Sequence, residues 1–186
     1  MQKFIILDRD GVINDDSDKY IKSANEWEPI FGSLEAIARL NQAGYRVVVI
    51  TNQSGIARGL YTLNELNQIH SKMYKQLSDV GGTIEAIFFC PHGEKENCKC
   101  RKPCPGLFYE FVERIGTSLT NVPAVGDSLR DLQAASVAGA QPILVRTGKG
   151  LRTLSGDMDG FEDVPVFDDL ARFVDSFLEE NEENVE

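Results

Sequence analysis

The sequence predicts one doubly wound α/β domain with a mainly parallel sheet and helices on both faces. Three observations point there. Short, continuously apolar runs alternate with amphipathic stretches along the chain, as in sheets whose strands are buried on both faces. The length of 186 residues suits a single domain with a full core. Carboxylates and hydroxyls directly follow several of the apolar runs, and ligands of open α/β sheets bind at such strand ends.

Residues 3–7 read as the first strand. Leu34, Ile37, Ala38 and Leu40 recur at helical spacing, and Gly44 stops that helix. The valine-rich residues 46–50 form a second strand. Thr62 and Glu65 make a capping box that opens a long helix with Leu66, Ile69, Met73 and Leu77 on its core face. Residues 84–89 are a third strand. Residues 105–116 are a helix presenting Leu107, Phe108, Phe111, Val112 and Ile115. A fourth strand at 122–125 leads into a helix carrying Leu129, Leu132, Ala135 and Ala138, which Gly139 ends. Strands follow at 142–145 and 164–167. Leu170, Phe173, Val174 and Phe177 mark a closing helix. The domain is expected to span residues 1–178, with 179–186 as a solvated, frayed acidic tail. Residues 11–32 and 90–104 break the alternation, and loops that long in a compact domain are functional or disordered. Neither leaves room for a large cap domain, so substrate selection falls to residues 15–27, the Arg58 region and the cysteine loop. Tyr20 and Trp27 could line the pocket or simply pack.

There are 29 acidic and 19 basic residues, for a net charge of −10, and five of the negatives lie in 179–186, leaving −5 for the rest. That balance argues against a nucleic-acid binder. Basic strips with interleaved aromatics are also missing. A small anionic substrate remains compatible, because a few local cations can hold a phosphate. No apolar run approaches the roughly 20 residues of a membrane span. The first residues carry charge too early for a signal peptide. The expectation is a cytoplasmic, monomeric protein acting on a small molecule, with no nucleic-acid or membrane partner.

If the sheet is parallel, the residues after each strand share one edge. Asp8 and Asp10 follow the first strand, and alternation along an extended segment sends both to one side. Two close carboxylates repel, so a cation or a proton must sit between them. Magnesium suits such a site because it takes oxygen ligands and keeps several waters. A carboxylate can attack phosphorus to give an aspartyl phosphate. Its neighbour can protonate the leaving oxygen and later activate water. Thr51-Asn52-Gln53-Ser54 after the second strand offers a hydroxyl and backbone donors to a phosphoryl group. Asp127 after the fourth strand would be a third acidic metal ligand. Taken singly, each could equally be a turn or a helix cap. Asp131 could support Asp127 from behind or lie on a solvated helix face. His70 reads as a satisfied or solvent-facing helix residue.

All four cysteines lie between Cys90 and Cys104, a clustering that points to metal rather than disulfides. Cys90-x-His92, five residues, then Cys98-x-Cys100 offers three thiolates and one imidazole, a closed set suited to structural zinc. Cys104 is left over as a free buried thiol. Arg101 and Lys102 follow the last ligand directly, so fixing Cys100 would position both cations. Arg suits bidentate phosphate contact and Lys a point-charge contact.

Taken together, these residues resemble the haloacid-dehalogenase superfamily of phosphohydrolases over nearly the whole chain. Asp8-Arg9-Asp10-Gly11 looks like its first motif, Thr51 its second, and Gly126-Asp127 with Asp131 its fourth. Three stretches, 8–14, 51–59 and 100–103, narrow the resemblance to the heptose-bisphosphate phosphatases, with histidinol-phosphate phosphatases as close relatives. The resemblance implies a Rossmannoid sheet and a magnesium-dependent phosphoric monoester hydrolase. Its reaction would remove the 7-phosphate of D-glycero-D-manno-heptose 1,7-bisphosphate through an aspartyl phosphate, on the ADP-heptose route to lipopolysaccharide. Asp8 would be the nucleophile and Asp10 the general acid/base, with Thr51 and Lys102 completing the catalytic set. Magnesium would be held by Asp8, the Asp10 backbone carbonyl and Asp127. Zinc would be held by Cys90, His92, Cys98 and Cys100. Asn52, Gln53, Ser54, Arg58 and Arg101 would bind substrate. Two residues depart from the family pattern. Val12 stands where Thr is frequent, and Ser128 stands where some relatives have the phosphate-binding lysine, which the closest of them carry at the position of Lys102. Histidinol phosphate is the rival substrate. A zinc-organised phosphate-binding module without turnover is the rival from another class, against which the intact Asp8, Asp10 and Asp127 argue.

Overall fold

The computed structural model describes residues 3–183. Six strands form one sheet: β1 (Lys3–Leu7), β2 (Tyr45–Asn52), β3 (Ala86–Cys90), β4 (Pro123–Gly126), β5 (Gln141–Val145) and β6 (Val166–Phe167). The order is β3-β2-β1-β4-β5-β6, and every pairing is parallel. Six helices connect and flank them: α1 (Ser33–Gln42), α2 (Leu63–Asp79), α3 (Gly106–Ile115), α4 (Leu129–Val137), α5 (Gly150–Leu154) and α6 (Leu170–Glu183).

The alternation of side chains along the central strands explains why both faces need helices. In β1 and β2, Ile5, Leu7, Val47 and Val49 face one layer with Ile37 and Leu40 of α1, Ile69 and Met73 of α2, and Phe173 and Val174 of α6. Phe4, Ile6, Val48 and Ile50 face the other, with Leu107, Phe108 and Phe111 of α3 and Ala134 and Ala135 of α4. A strand apolar on both sides cannot lie at a solvated surface, so the sheet sits between two helical layers.

The strand order reverses between β1 and β4. The chain walks outward from β1 to β3, then returns to place β4 on the other side of β1. A crevice opens at the carboxyl ends of strands on either side of such a reversal. Asp8 follows β1 and Asp127 follows β4, so both stand at that crevice. The Asp8 amide donates to the Val125 carbonyl at 2.9 Å, extending the β1/β4 ladder by one rung and fixing the Asp8 backbone.

The structure corrects the bounds of a strand and of the tail, and adds a helix. The third strand begins at Ala86 rather than at residue 84, because Ile84 turns into the core before the ladder starts. The short helix α5 carries too little apolar periodicity to be read from sequence. The residues from Glu179 on do not begin as a frayed tail: α6 continues through Glu183. Glu is a good helix former, and Leu170, Phe173 and Val174 anchor the helix in the core. Residues 184–186 of the expected tail lie outside the described residues. The long connection at 11–32 is ordered: Asn14 bridges Pro29, and Val12, Ile13, Ile21 and Trp27 enter the core. Trp27 therefore packs, while Tyr20 lines the crevice. No helix among the described residues is long and apolar enough to cross a membrane.

Candidate active site

The crevice holds a cavity of about 240 Å³ lined by residues at the ends of β1, β2 and β4 and from the loops after β3 and β5, including Asp8, Asp10, Thr51, Ser54, Lys102, Asp127 and Asp131. Asp8 and Asp10 both face it, though not by strand alternation. The chain leaves the sheet after Leu7 and turns, with the Ile13 amide donating to the Arg9 carbonyl at 2.8 Å. Gly11 stands in this turn at φ +85°, and a Cβ on it would fall 2.1 Å from the Asp127 Oδ2. The position therefore needs glycine both for its backbone and for the approach of that carboxylate.

Lys102 lies at the centre. It is 3% exposed, and its Nζ reaches Asp8 Oδ1 at 3.1 Å, Asp131 Oδ1 at 2.5 Å and the Ile50 carbonyl at 2.8 Å. Those three acceptors use all three ammonium protons. Burial alone would lower the Lys102 pKa, but Asp131 and Asp8 outweigh it and raise it. Asp131 is thus a direct partner of the lysine, not a solvated residue. Burial pushes Asp131 up, yet Lys102 and Ser128 hold its carboxyl below the usual range. Asp8 goes the other way: burial, opposed by Lys102 and reinforced by Asp131 and Asp10, raises it to about 6. Burial together with Asp131 and Asp8 lifts Asp127 well above the carboxylate range, against the Lys149 amide at 2.8 Å. Asp8, Asp127 and Asp131 offer oxygens within 4.8 Å of one another. One lysine does not offset three buried carboxylates, and it is Asp8 and Asp127 that lack compensation. Oxygen donors with surplus negative charge fit a hard divalent cation such as magnesium.

Asp10 has its own partner. Arg9 is fully buried and folds back so that its Nε and Nη2 donate to Asp10 Oδ1 at 3.1 and 2.9 Å. Burial raises Asp10, but Arg9, Asn14 and Gln53 outweigh it and hold the carboxyl below its usual range. Arg9 Nη1 also lies 3.3 Å from His70 Nε2. Burial and Arg9 lower His70 to about 4, so His70 is neutral and accepts that bond. It is a satisfied buried residue.

The last residues of β2 and those that follow it do two jobs. Thr51 and Ser54 are buried at the crevice. Asn52 clamps the loop that carries the lysine: its Nδ2 donates to the Lys102 carbonyl at 3.1 Å and its Oδ1 accepts from the Lys102 amide at 3.0 Å. Gln53 is 2% exposed and bonded on both ends of its amide, to Asp10, Thr51, Tyr61 and Arg9. Gln53 is not free for substrate, whereas Asn52, half-buried at the crevice, keeps a second Nδ2 proton beyond its two bonds to the Lys102 backbone. The Gln53 correction has one cause: a buried amide must satisfy both its ends. Arg58 lines the crevice with its guanidinium 5.8 Å from the Tyr20 ring centroid.

Cys90, His92, Cys98 and Cys100 converge. Cys100 Sγ lies 3.0 Å from Cys90 Sγ, 3.5 Å from Cys98 Sγ and 3.2 Å from His92 Nδ1. A tetrahedron with zinc–sulfur bonds of about 2.3 Å has sulfur–sulfur edges of about 3.7 Å, so the donors stand where zinc needs them, drawn slightly inward. Burial opposes ionisation of Cys98, but the Arg101 amide and the neighbouring thiols lower it to about 7. Cys104 is exposed rather than buried, because the chain turns outward between Pro103 and Pro105 before α3 begins.

Sequence reasoning missed part of the rim. Glu94 lies 3.5 Å from both Arg101 and Arg130. Lys149 pairs with Asp16, and Arg152 lies 3.2 Å from Asp18, tying the 15–27 loop to α5. Long-range pairs of this kind leave no spacing signal. Tyr61, just before the capping box, gave none either.

Comparison with known proteins follows the same lines. The HAD-hydrolase-like family profile matches residues 99–173, and that of polynucleotide kinase 3 phosphatase matches residues 3–130. The chain is 53% identical to a D-glycero-beta-D-manno-heptose-1,7-bisphosphate 7-phosphatase of Bordetella bronchiseptica, over 96% of this chain and 99% of that one. It is 49% identical to the protein of the same name from Pseudomonas aeruginosa, again over 96% and 99%. Among solved structures, the B. bronchiseptica D,D-heptose 1,7-bisphosphate phosphatase complexed with magnesium and phosphate superposes with a TM-score of 0.92 at 53% identity, covering 96% and 99% of the two chains. The Burkholderia thailandensis counterpart gives 0.74 at 46% identity, covering 95% and 98%.

Proposed function

The chain belongs to the HAD-like phosphatases, and from that premise we propose that it removes the 7-phosphate of D-glycero-β-D-manno-heptose 1,7-bisphosphate, on the ADP-heptose route to lipopolysaccharide. The observation that carries the reading is the cluster of Asp8, Asp127 and Asp131 about the buried Lys102. It occurs in a chain 53% identical, over nearly the full length of both, to a protein named for that reaction.

In this reading a carboxylate oxygen of Asp8 attacks phosphorus as the bond from phosphorus to the sugar oxygen breaks, leaving an aspartyl phosphate. Asp10 gives its proton to the departing sugar oxygen. It then takes one from the water that attacks the aspartyl phosphate, which frees Asp8 and inorganic phosphate. The resting hydrogen bonds keep Asp10 ionised, as the second step needs. The incoming phosphate, a like charge close by, raises its proton affinity for the first. Lys102 offsets the negative charge that gathers on the phosphoryl oxygens, and Thr51 donates its hydroxyl to one of them. Asp8, Asp127 and the Asp10 backbone carbonyl would hold magnesium, which supplies Lewis-acid stabilisation of the phosphoryl group. Cys90, His92, Cys98 and Cys100 would hold a structural zinc with no open position. Arg101 and Arg58, at the rim, are suited to the part of the substrate that does not react. Ser54 remains a candidate contact through its hydroxyl.

We place this reaction in the cytoplasm, on a single chain acting on a small sugar phosphate. Asp16, Asp18 and Glu94 at the rim disfavour a polynucleotide or an anionic bilayer. The test is a phosphate-release panel over the heptose bisphosphate, histidinol phosphate and a 3′-phosphorylated oligonucleotide, with magnesium and with chelator. The heptose bisphosphate should give the highest kcat/KM, and chelator should abolish release. A higher kcat/KM for either rival would overturn the substrate.

A further inference from the structure

Gln53 is a buried polar side chain that the mechanism above does not use, and chemistry fixes how it points. Its Oε1 lies 3.1 Å from Arg9 Nη2, which can only donate. Its Nε2 lies 2.9 Å from Asp10 Oδ2, an ionised oxygen that can only accept. The amide therefore cannot be flipped. Its second Nε2 proton must go to the remaining neighbour, Thr51 Oγ1 at 3.0 Å. Thr51 is thereby an acceptor toward Gln53, and among the described residues no protein acceptor takes its hydroxyl proton.

Tyr61 completes the arrangement. Its hydroxyl donates to Gln53 Oε1 at 2.6 Å, and burial pushes its pKa to about 12, so it keeps that proton at all working pH. Tyr61 immediately precedes Thr62, whose side chain caps α2, and the helix start thus fixes its backbone. Its ring lies on Gly55, where a Cβ would stand 2.1 Å from Tyr61 Cε1. The hydroxyl is carried to the amide by a rigid ring over a bare stretch of backbone.

We propose that Gln53 and Tyr61 are positioning residues: Tyr61 holds the Gln53 amide, and its two protons aim the Thr51 hydroxyl into the crevice while keeping the Asp10 carboxylate in register with it. The proposal rests on the phosphatase reading, with Thr51 and Asp10 as working groups. It differs from direct substrate contact in what it predicts. A residue that grips the sugar acts mainly on KM and differently for different substrates. A residue that aims two groups at the reacting phosphoryl acts on kcat for any phosphate ester, most where the leaving oxygen needs the Asp10 proton.

Gln53→Met keeps the volume and removes both donors. Misaiming a reacting group by about 1 Å can cost about 10²-fold, and a loss of kcat of that order is expected with KM within about threefold. Tyr61→Phe keeps the ring on Gly55 and removes one neutral hydrogen bond, so about three- to tenfold is expected. The closing experiment measures kcat and KM for wild type, Gln53→Met, Tyr61→Phe and the double variant, on the heptose bisphosphate and on p-nitrophenyl phosphate, with magnesium. Thermal melts confirm folding. Support is a loss of kcat on both substrates, at least as large on the heptose bisphosphate, whose sugar oxygen needs the Asp10 proton, and a double variant no worse than Gln53→Met alone, because Tyr61 acts through Gln53. A loss confined to KM or to the heptose substrate would overturn the proposal, as would full additivity. If Gln53→Met does not fold, Tyr61→Phe decides, and kcat within error of wild type overturns it. Absence of phosphate release by the wild-type protein would overturn the phosphatase reading itself, and this proposal with it.

Discussion

Replacing Lys102 by methionine keeps a long, buried side chain and removes the charge at the centre of the site. The ammonium contacts Asp8 at 3.1 Å, Asp131 at 2.5 Å and the Ile50 carbonyl at 2.8 Å, so the variant leaves two carboxylates and a carbonyl without that donor. Breaking a buried pair from one side typically costs about 3–5 kcal/mol. For a chain of this size each kcal/mol moves Tm by about 2–4 °C, so the melting point of metal-free protein should fall by roughly 6–20 °C at pH 7.5. The pH dependence carries the sign. In the wild type, Asp131 is held below its usual pKa chiefly by Lys102, a contribution present at neutral pH and lost only in strong acid. Without the lysine, Asp131 and Asp8 both lie above their unfolded values. Their ionisation then costs stability, and that cost is relieved as pH falls through the raised values. Wild-type Asp8 is itself raised to about 6, so wild type gains a little on acidification and Lys102→Met should gain more. The gap in Tm should narrow from pH 8 to pH 5. Phosphate release should fall by about 10²-fold or more, the scale for losing one preorganised charge. A kcat near wild type, or a Tm gap that stays constant or widens toward pH 5, would refute the reasoning.

Asp8→Asn should abolish turnover. Because the Asp8 pKa is raised, its charge costs stability above about pH 6, so the metal-free variant should melt at or above wild type at pH 8; a lower Tm there would contradict the electrostatic account. Asp10→Asn should lower kcat by about 10²–10⁴-fold, and a rate within a factor of two of wild type would move the proton to another residue. Cys98→Ser should drop the metal content from about one zinc per chain and lower kcat before the sheet unfolds, as read by metal analysis alongside far-UV dichroism; full activity without zinc would remove the loop from the account. Arg101→Ala should raise KM for the heptose bisphosphate while leaving kcat nearly unchanged, and equal losses in both constants would place Arg101 at the reacting phosphate.

Most of the sheet was legible because strands buried on both faces leave unbroken apolar runs, as in Phe4 to Leu7 and Val47 to Ile50. The strand-end carboxylates were legible for a related reason: parallel strands bring every residue that follows a strand to one edge. The thiolate spacing was legible because its donors are close in sequence. What escaped were partnerships across the fold. Gln53 looked like a phosphate donor, but its amide is used up by Asp10, Thr51, Tyr61 and Arg9, and Asn52 spends part of its amide on the Lys102 backbone. Asp131 looked as much like a surface residue as a partner, since nothing in sequence announces a lysine 29 positions earlier. The carboxylates of Asp8 and Asp10 were expected together from alternation, whereas a turn with the buried Arg9 at its centre brings them there.

The reciprocal pair between Asn52 and the Lys102 backbone acts as one more rung of the sheet, supplied by a side chain after the last β2/β3 pairing at Asn52 and Cys90. It pins residue 102 to the end of β2 independently of the path the chain takes to get there. The loop from Cys90 is thus tied down at its start by β3 and at its end by Asn52, with the four converging donors between. Residues 93–97, around the turn at Glu94–Glu96, are then a region of free length. Insertions there should lengthen an exposed arch and reshape the rim without moving the ammonium. Deletion of the Asn52 amide should have the opposite effect, leaving loop length unchanged and the cation loose.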